Sequence, residues 1–176
     1  MGSEMCIRDS PTWITNNASE QTWQDLYQTC VLIYLATRSA EGNGNFLILH
    51  SITSLWALEK VCQVIGDPAV EKRALAHFYG SLVCLLAASS SGFPSREALE
   101  KTQTEFPLSL TDAKADYDWS PTLTAAIAEI EEHNIKLAYV SRELWNRYGQ
   151  WHGFSEAART FTLTPNIGPA VVEFKA

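Results

Sequence analysis

The sequence has no long hydrophobic run and no excess of positive charge. Its longest apolar runs, near residues 46–50 and 81–88, are much shorter than the roughly 20 residues that a transmembrane helix needs, so we expect no membrane span. Lysine and arginine total 13 against 20 aspartates and glutamates, which gives a net charge of -7. Nucleic acids and anionic membranes favour basic surfaces. We therefore expect neither as a partner, and expect a small molecule or another protein instead.

The cysteines form no recognisable motif. Cys6, Cys30, Cys62 and Cys84 lie in different segments, and no two of them are spaced as CxxC. Cys30 and Cys62 lie within apolar helical patterns, where a free thiol behaves as a small hydrophobic group. A disulfide framework is therefore not expected, and the reducing cytoplasm is the default compartment.

The length of 176 residues corresponds to about one domain, and 46% hydrophobic with 19% charged residues is typical of a folded globular protein. The first ten residues, MGSEMCIRDS, lack the features of a signal peptide and resemble translated sequencing-adapter DNA. We expect residues 1–10 to be a non-native leader. Residues 11–176 are then expected to be a single helical domain, the C-terminal part of a longer protein of metagenomic origin.

The spacing of apolar residues predicts an all-α fold built from antiparallel helix pairs. Capping residues and glycines place helices from about residue 20 to the glycines at 42 and 44, and at residues 46–65, 68–88, 95–103, 120–148 and 154–161. Residues 46–56 are apolar on nearly every side, so the second helix is expected to be the most buried. The tail, residues 162–176, contains two prolines and is expected to be extended.

Histidines are the main candidates for chemistry, because the sequence contains no GxSxG, P-loop, GxGxxG or HExxH motif. His50 lies in the helix that we expect to be most buried, where its imidazole needs a hydrogen bond or a metal. Taken alone, a hydrogen-bonded core histidine is the commoner outcome. His77 is expected at a helix edge and His152 in an exposed loop.

His133 and Lys136 lie on one flank of the helix predicted over residues 120–148. Glu132 precedes Lys136 by four residues, so an ordinary exposed ion pair is the simplest interpretation of the lysine. The acidic residues at 129, 131 and 132 are most simply a solvated helix face, although paired carboxylates also perform acid–base chemistry.

Two segments resemble the questin oxidase-like family. Residues 46–56, FLILHSITSLW, are similar to a family helix with the pattern F-x-x-x-H-x-x-T-S, and residues 133–137, HNIKL, are similar to a family H-x-I-K-L motif. Residues 79–96 are also similar to the family. The resemblance spans about residues 20–150.

The resemblance implies a mostly helical oxygenase that opens the ring of an anthraquinone such as questin, with dioxygen as co-substrate. It implies a mononuclear non-haem Fe(II) bound by His50, His133 and a carboxylated Lys136, and it leaves a need for NADPH open. Neutral imidazole suits iron, and a lysine carbamate supplies an anionic oxygen where an ammonium would repel the metal. The lysine must first lose its proton, which desolvation favours. The family's further histidines lie upstream of this sequence, so the site is expected to be incomplete here.

A second hypothesis is a non-catalytic helical scaffold that binds a protein or an apolar small molecule, supported by the six tryptophans. The two hypotheses predict different structures. The iron site requires His50, His133 and Lys136 to converge on one cavity. The scaffold predicts an exposed Lys136 paired with Glu132, and His50 bonded to a backbone carbonyl. A nicotinamide or flavin enzyme is disfavoured because the sequence has no dinucleotide fingerprint.

Overall fold

A computed structural model describes residues 20–89, 92–108, 117–129 and 131–161. Within these residues the chain forms seven α-helices and no strand, which confirms the predicted all-α fold. The leader and tail predictions, for residues 1–10 and 162–176, lie outside the described residues. The helices are α1 (Glu20–Ala36), α2 (Phe46–Ile65), α3 (Pro68–Ala88), α4 (Arg96–Glu105), α5 (Ser120–Glu129), α6 (Glu132–Tyr148) and α7 (His152–Arg159).

The turn between α2 and α3 forms where the sequence predicts it. Gly66 adopts the left-handed conformation at φ 67°, which a residue with a side chain rarely adopts. The Asp67 side chain then accepts hydrogen bonds from the backbone N–H groups of Ala69 and Val70. Pro68 begins α3, where its missing N–H costs nothing. These local signals join α2 and α3 directly, and the two helices pack against each other.

Helix α1 has ten buried residues against seven in the longer α2, so the prediction that α2 is the most buried is wrong. α1 packs against α2, α4 and α7, and the side chains of Tyr27 and Tyr34 are completely buried. α2 packs against α1, α3 and α6, but its outward face stays exposed, and Val64 is 89% exposed. An apolar sequence on all sides of a helix therefore did not reveal which face has a neighbour.

The single long helix predicted over residues 120–148 is two helices, α5 and α6. Glu131 adopts extended backbone angles, φ -84° and ψ 113°, and its carboxylate accepts a hydrogen bond from the backbone N–H of His133. Glu131 is therefore an N-cap that begins a new helix. The two helices also differ in burial, since Ile127 on α5 is 66% exposed whereas Leu137 on α6 is buried.

The C-terminal helix α7 begins two residues earlier than predicted. His152 is its first residue rather than part of a loop, but its side chain is exposed as expected. α7 packs against both α1 and α6 and so closes the fold. None of the described helices has the length and the apolar character that a bilayer span requires.

Two of the cysteines are buried in helices, as the sequence predicts. Cys30 and Cys62 are buried free thiols within helices, as expected of small hydrophobic groups. Cys84 is also a free thiol and is exposed. Cys6 lies outside the described residues.

Candidate functional site

His50 lies in the first turns of α2 and is half-buried. The side chain of Asn45 caps this helix by accepting hydrogen bonds from the N–H groups of Leu47 and Ile48. The Nδ1 atom of His50 lies 2.8 Å from the carbonyl oxygen of Phe46. A carbonyl oxygen only accepts hydrogen bonds, so Nδ1 carries the proton and Nε2 keeps its lone pair in the neutral ring.

His133 is held in a similar way at the start of α6. Its Nδ1 atom lies 2.6 Å from Oε1 of Glu131, the same carboxylate oxygen that caps the helix. The Nε2 atom lies 4.0 Å from Oε1 of Glu132, beyond hydrogen-bond distance. The His133 side chain is only 18% exposed. Glu131 therefore fixes both the helix start and the orientation of the imidazole.

The two histidine rings lie against each other, with 5.2 Å between their centroids and 58° between their planes. The ring of Phe46 makes edge contacts with both, at 4.9 Å from His50 and 4.8 Å from His133. The packing of α2 against α6 produces this arrangement. The structure thus brings together the two histidines that the iron-site hypothesis requires to be close.

Lys136, the third predicted ligand, pairs with Glu132. Its side chain is 56% exposed, and its Nζ atom lies 2.9 Å from Oε2 of Glu132. The hydrogen bond from Lys136, followed by the positive charge of Lys136, lowers the pKa of the Glu132 carboxyl. This is the exposed i,i+4 ion pair that the scaffold hypothesis predicts, and the bond from His50 to a backbone carbonyl is its other predicted feature.

The described residues contain no cluster of three or more histidine, cysteine, aspartate or glutamate side chains with the geometry of a metal site. The pair formed by His50 and His133 nevertheless has the chemistry of two ligands. A histidine that binds a metal commonly donates its other ring N–H to a carboxylate or a backbone carbonyl, and these two rings have one such partner each. Imidazole nitrogen is a donor type that suits iron, and these two rings are the ones that the structure brings together.

An open groove of about 530 Å³ lies between α2 and α3, and His50 forms part of its wall. The volume is within the range of small-molecule sites, about 300–1,000 Å³. His77 contributes to the opposite wall, on α3. One face of the candidate site is therefore open to a ligand. The other lining residues are Ser51, Ser54, Leu58, Ala74, Phe78, Ser81, Leu82 and Leu85.

A family model described as Questin oxidase-like matches residues 5–141, well over half of the chain. The chain belongs to the questin oxidase-like family. The match includes His50, His133 and Lys136, and it ends within α6, before α7 begins. It begins inside residues 1–10, so their assignment as a leader stays a prediction. No curated protein and no solved structure matches the chain.

This questin oxidase-like chain also contains a buried carboxylate that sequence reasoning missed. Glu59 is 2% exposed and accepts hydrogen bonds from the hydroxyl groups of Tyr27, at 2.7 Å, and Tyr148, at 2.6 Å. Nη1 of Arg147 lies 2.8 Å from the same carboxylate, and the side chain of Gln63 donates to it at 3.1 Å. Four donors from three helices therefore surround one buried charge, as burial of a charge requires.

One sequence feature marks Glu59 in retrospect. Leu55, Glu59 and Cys62 follow each other at intervals of four and three residues, so the carboxylate shares the buried face of α2. Burial raises the pKa of Tyr27 and of Tyr148, and the adjacent Glu59 carboxylate adds to this effect. We assign this network a structural role, because it ties α1, α2 and α6 together.

Proposed function

We propose that this chain binds Fe(II) through His50 and His133, and that the protein uses dioxygen to open a ring of an anthraquinone or a related polycyclic aromatic. The observation that carries the proposal is the contact between the two imidazoles, each with its Nδ1 atom held by another group. Membership of the questin oxidase-like family supports an oxygenase-type role.

The chain's own residues prepare the two ligands. The carbonyl of Phe46 and the carboxylate of Glu131 hold the rings and keep both Nε2 lone pairs available. The Phe46 ring packs against both imidazoles and limits their rotation. Ferrous iron bound there supplies redox chemistry with dioxygen, which amino-acid side chains alone do not provide.

Lys136 is the third ligand in this proposal, as a carbamate. It follows His133 by three residues, so the two side chains lie on adjacent positions of α6. Carboxylation requires a neutral amine, whereas the ion pair with Glu132 favours the ammonium. Ligation by Lys136 therefore requires this exposed pair to open. An exposed pair of this kind is worth less than about 1 kcal/mol, so opening it costs little.

The test is turnover by the full chain. Protein loaded anaerobically with Fe(II) and bicarbonate is mixed with a dihydroxyanthraquinone and dioxygen, and oxygen uptake is followed together with the mass of the product. We expect oxygen uptake coupled to a ring-opened product, with loss of both in His50→Ala and His133→Ala. His152→Ala is the matched control, because His152 is an exposed histidine outside the pair. Absence of coupled oxygen uptake, or uptake unchanged in the two alanine variants, contradicts the proposal.

A scaffold that binds an apolar small molecule without chemistry is the second candidate. The exposed ion pair between Lys136 and Glu132 favours it. In that case His50→Ala and His133→Ala retain ligand binding, and iron adds no oxygen uptake. The two candidates therefore give opposite results in the same experiment.

A further inference from the structure

We propose that the groove between α2 and α3 binds an uncharged aromatic molecule, and that His77 forms a hydrogen bond with a hydroxyl or carbonyl oxygen of that molecule. The inference rests on the proposed function, since it assigns the place where the substrate lies and the residue that selects it. His50 connects the proposed iron site with the groove, because it touches His133 and also forms part of the groove wall.

The lining of the groove favours an uncharged, apolar ligand. No aspartate, glutamate, lysine or arginine is among the described residues that line it. Leu58, Phe78, Leu82 and Leu85 provide most of the apolar side-chain atoms. A site of this type gains affinity from buried apolar surface and takes its selectivity from a few polar groups.

The three serines of the groove are poor candidates for that polar group. Each hydroxyl already donates to a backbone carbonyl of its own helix: Ser51 to Ile48, Ser54 to His50, and Ser81 to His77. The serines therefore use their only donors within the helices.

His77 remains. It lines the groove from α3, opposite His50 on α2, and it is exposed. The structure records no hydrogen bond of its ring with any other described residue. A neutral imidazole has one donor and one acceptor, so it pairs with a hydroxyl or with a carbonyl oxygen. In His50 the Nδ1 atom is occupied by the Phe46 carbonyl, and the Nε2 atom is the one that the proposed function assigns to the metal, so we assign recognition of the ligand to His77 on the opposite wall.

The test compares two ligands of the same shape, 2-naphthol and naphthalene, by equilibrium dialysis against the full chain in the presence of a chelator. We expect the wild-type chain to bind 2-naphthol more tightly. In His77→Leu the affinity for 2-naphthol falls by about fivefold, the value of one net hydrogen bond, while that for naphthalene is unchanged. His77→Gln keeps a hydrogen-bonding side chain and restores part of the preference.

Two further variants locate the binding site. Ser81→Trp places a large side chain in the groove at an exposed position, so both ligands bind at least about tenfold more weakly. His152→Leu changes an exposed histidine outside the groove and leaves both affinities unchanged. Circular dichroism of each variant shows that the helices are intact.

The inference is overturned if neither ligand binds, if the wild type does not prefer 2-naphthol, if Ser81→Trp binds both ligands normally, or if His77→Leu weakens both equally. Because the assay contains no metal, it is independent of the iron site. Correct ligand discrimination without iron binding leaves the groove in place and removes the proposed oxygenase. Iron binding without discrimination between the two ligands leaves the iron site in place and overturns the assignment of the groove.

Discussion

The imidazole rings of His50 and His133 lie 5.2 Å apart, measured between their centroids, although they come from two helices far apart in the sequence. Each ring has its Nδ1 atom occupied, one by a carbonyl and the other by a carboxylate. Histidines that bind a metal commonly have such a partner on the other ring nitrogen, which is why we propose these two as iron ligands.

Glu131 is expected to set the tautomer of His133. In the wild type at pH 8.5, nitrogen NMR shifts of the His133 ring show the proton on Nδ1, because the Glu131 carboxylate accepts it. Glu131→Ala removes this preference and weakens Co(II) binding by about 10–100-fold. Glu131→Gln keeps an acceptor oxygen and keeps the tautomer. Glu132→Ala, the adjacent control, leaves the ring tautomer unchanged; an unchanged tautomer in Glu131→Ala contradicts the assignment.

Removal of the Glu59 carboxylate is expected to destabilise the fold strongly. Glu59→Ala leaves the buried hydroxyl groups of Tyr27 and Tyr148 without their common acceptor, and each unsatisfied buried polar group costs about 1–3 kcal/mol. The exposed pair of Arg96 and Glu100 provides the control, since Glu100→Ala costs less than about 1 kcal/mol. Urea denaturation measures both free energies of unfolding. Equal losses would show that Glu59 has no special structural role.

The same network predicts a loss of stability in alkali. Burial and the Glu59 carboxylate raise the pKa of Tyr27 and of Tyr148 above the ordinary tyrosine value of about 10. Above that pH the unfolded chain releases these two protons while the folded chain retains them, so the free energy of unfolding falls as pH rises. Urea midpoints between pH 9 and 11 measure the slope. It is expected to be shallower in Tyr148→Phe, and an identical slope contradicts the prediction.

The thiols are expected to differ in their reactivity. Burial raises the pKa of Cys30 to about 12, against a smaller opposing effect of a hydrogen bond with Ser51, whereas Cys84 is exposed. In the native chain at pH 8, iodoacetamide should therefore alkylate Cys84 at least about tenfold faster than Cys30. Peptide mass spectrometry separates the sites, and alkylation in urea provides the control in which the difference disappears. Equal native rates would show that Cys30 is accessible.

Local sequence signals predicted helix ends well where capping residues, glycine or proline determine them. Gly66, Asp67 and Pro68 specify their turn through backbone preference and capping, so the sequence suffices there. The break at Glu131 was missed because a glutamate in the middle of a helical pattern usually continues the helix. It caps α6 here through hydrogen bonds to His133, a relationship that the periodicity of apolar residues does not contain.

Long-range relationships were harder to predict. The closeness of His50 and His133 followed from a family resemblance, since no spacing rule relates positions on α2 and α6. Glu59 was missed because an isolated glutamate is normally exposed, and its partners on α1 and α6 are brought together only by packing. The prediction that α2 is the most buried helix was wrong for the same reason, because its exposed apolar face resembles a buried face in sequence.

The most direct test of the account is the iron content of the full chain, purified anaerobically with Fe(II) and bicarbonate. We expect close to one iron per chain, lost in both His50→Ala and His133→Ala and retained in His152→Ala. Lys136→Arg preserves the charge that pairs with Glu132 but cannot form the carbamate, so it should bind iron more weakly than the wild type. No bound iron, or iron that both histidine variants retain, would contradict the central claim.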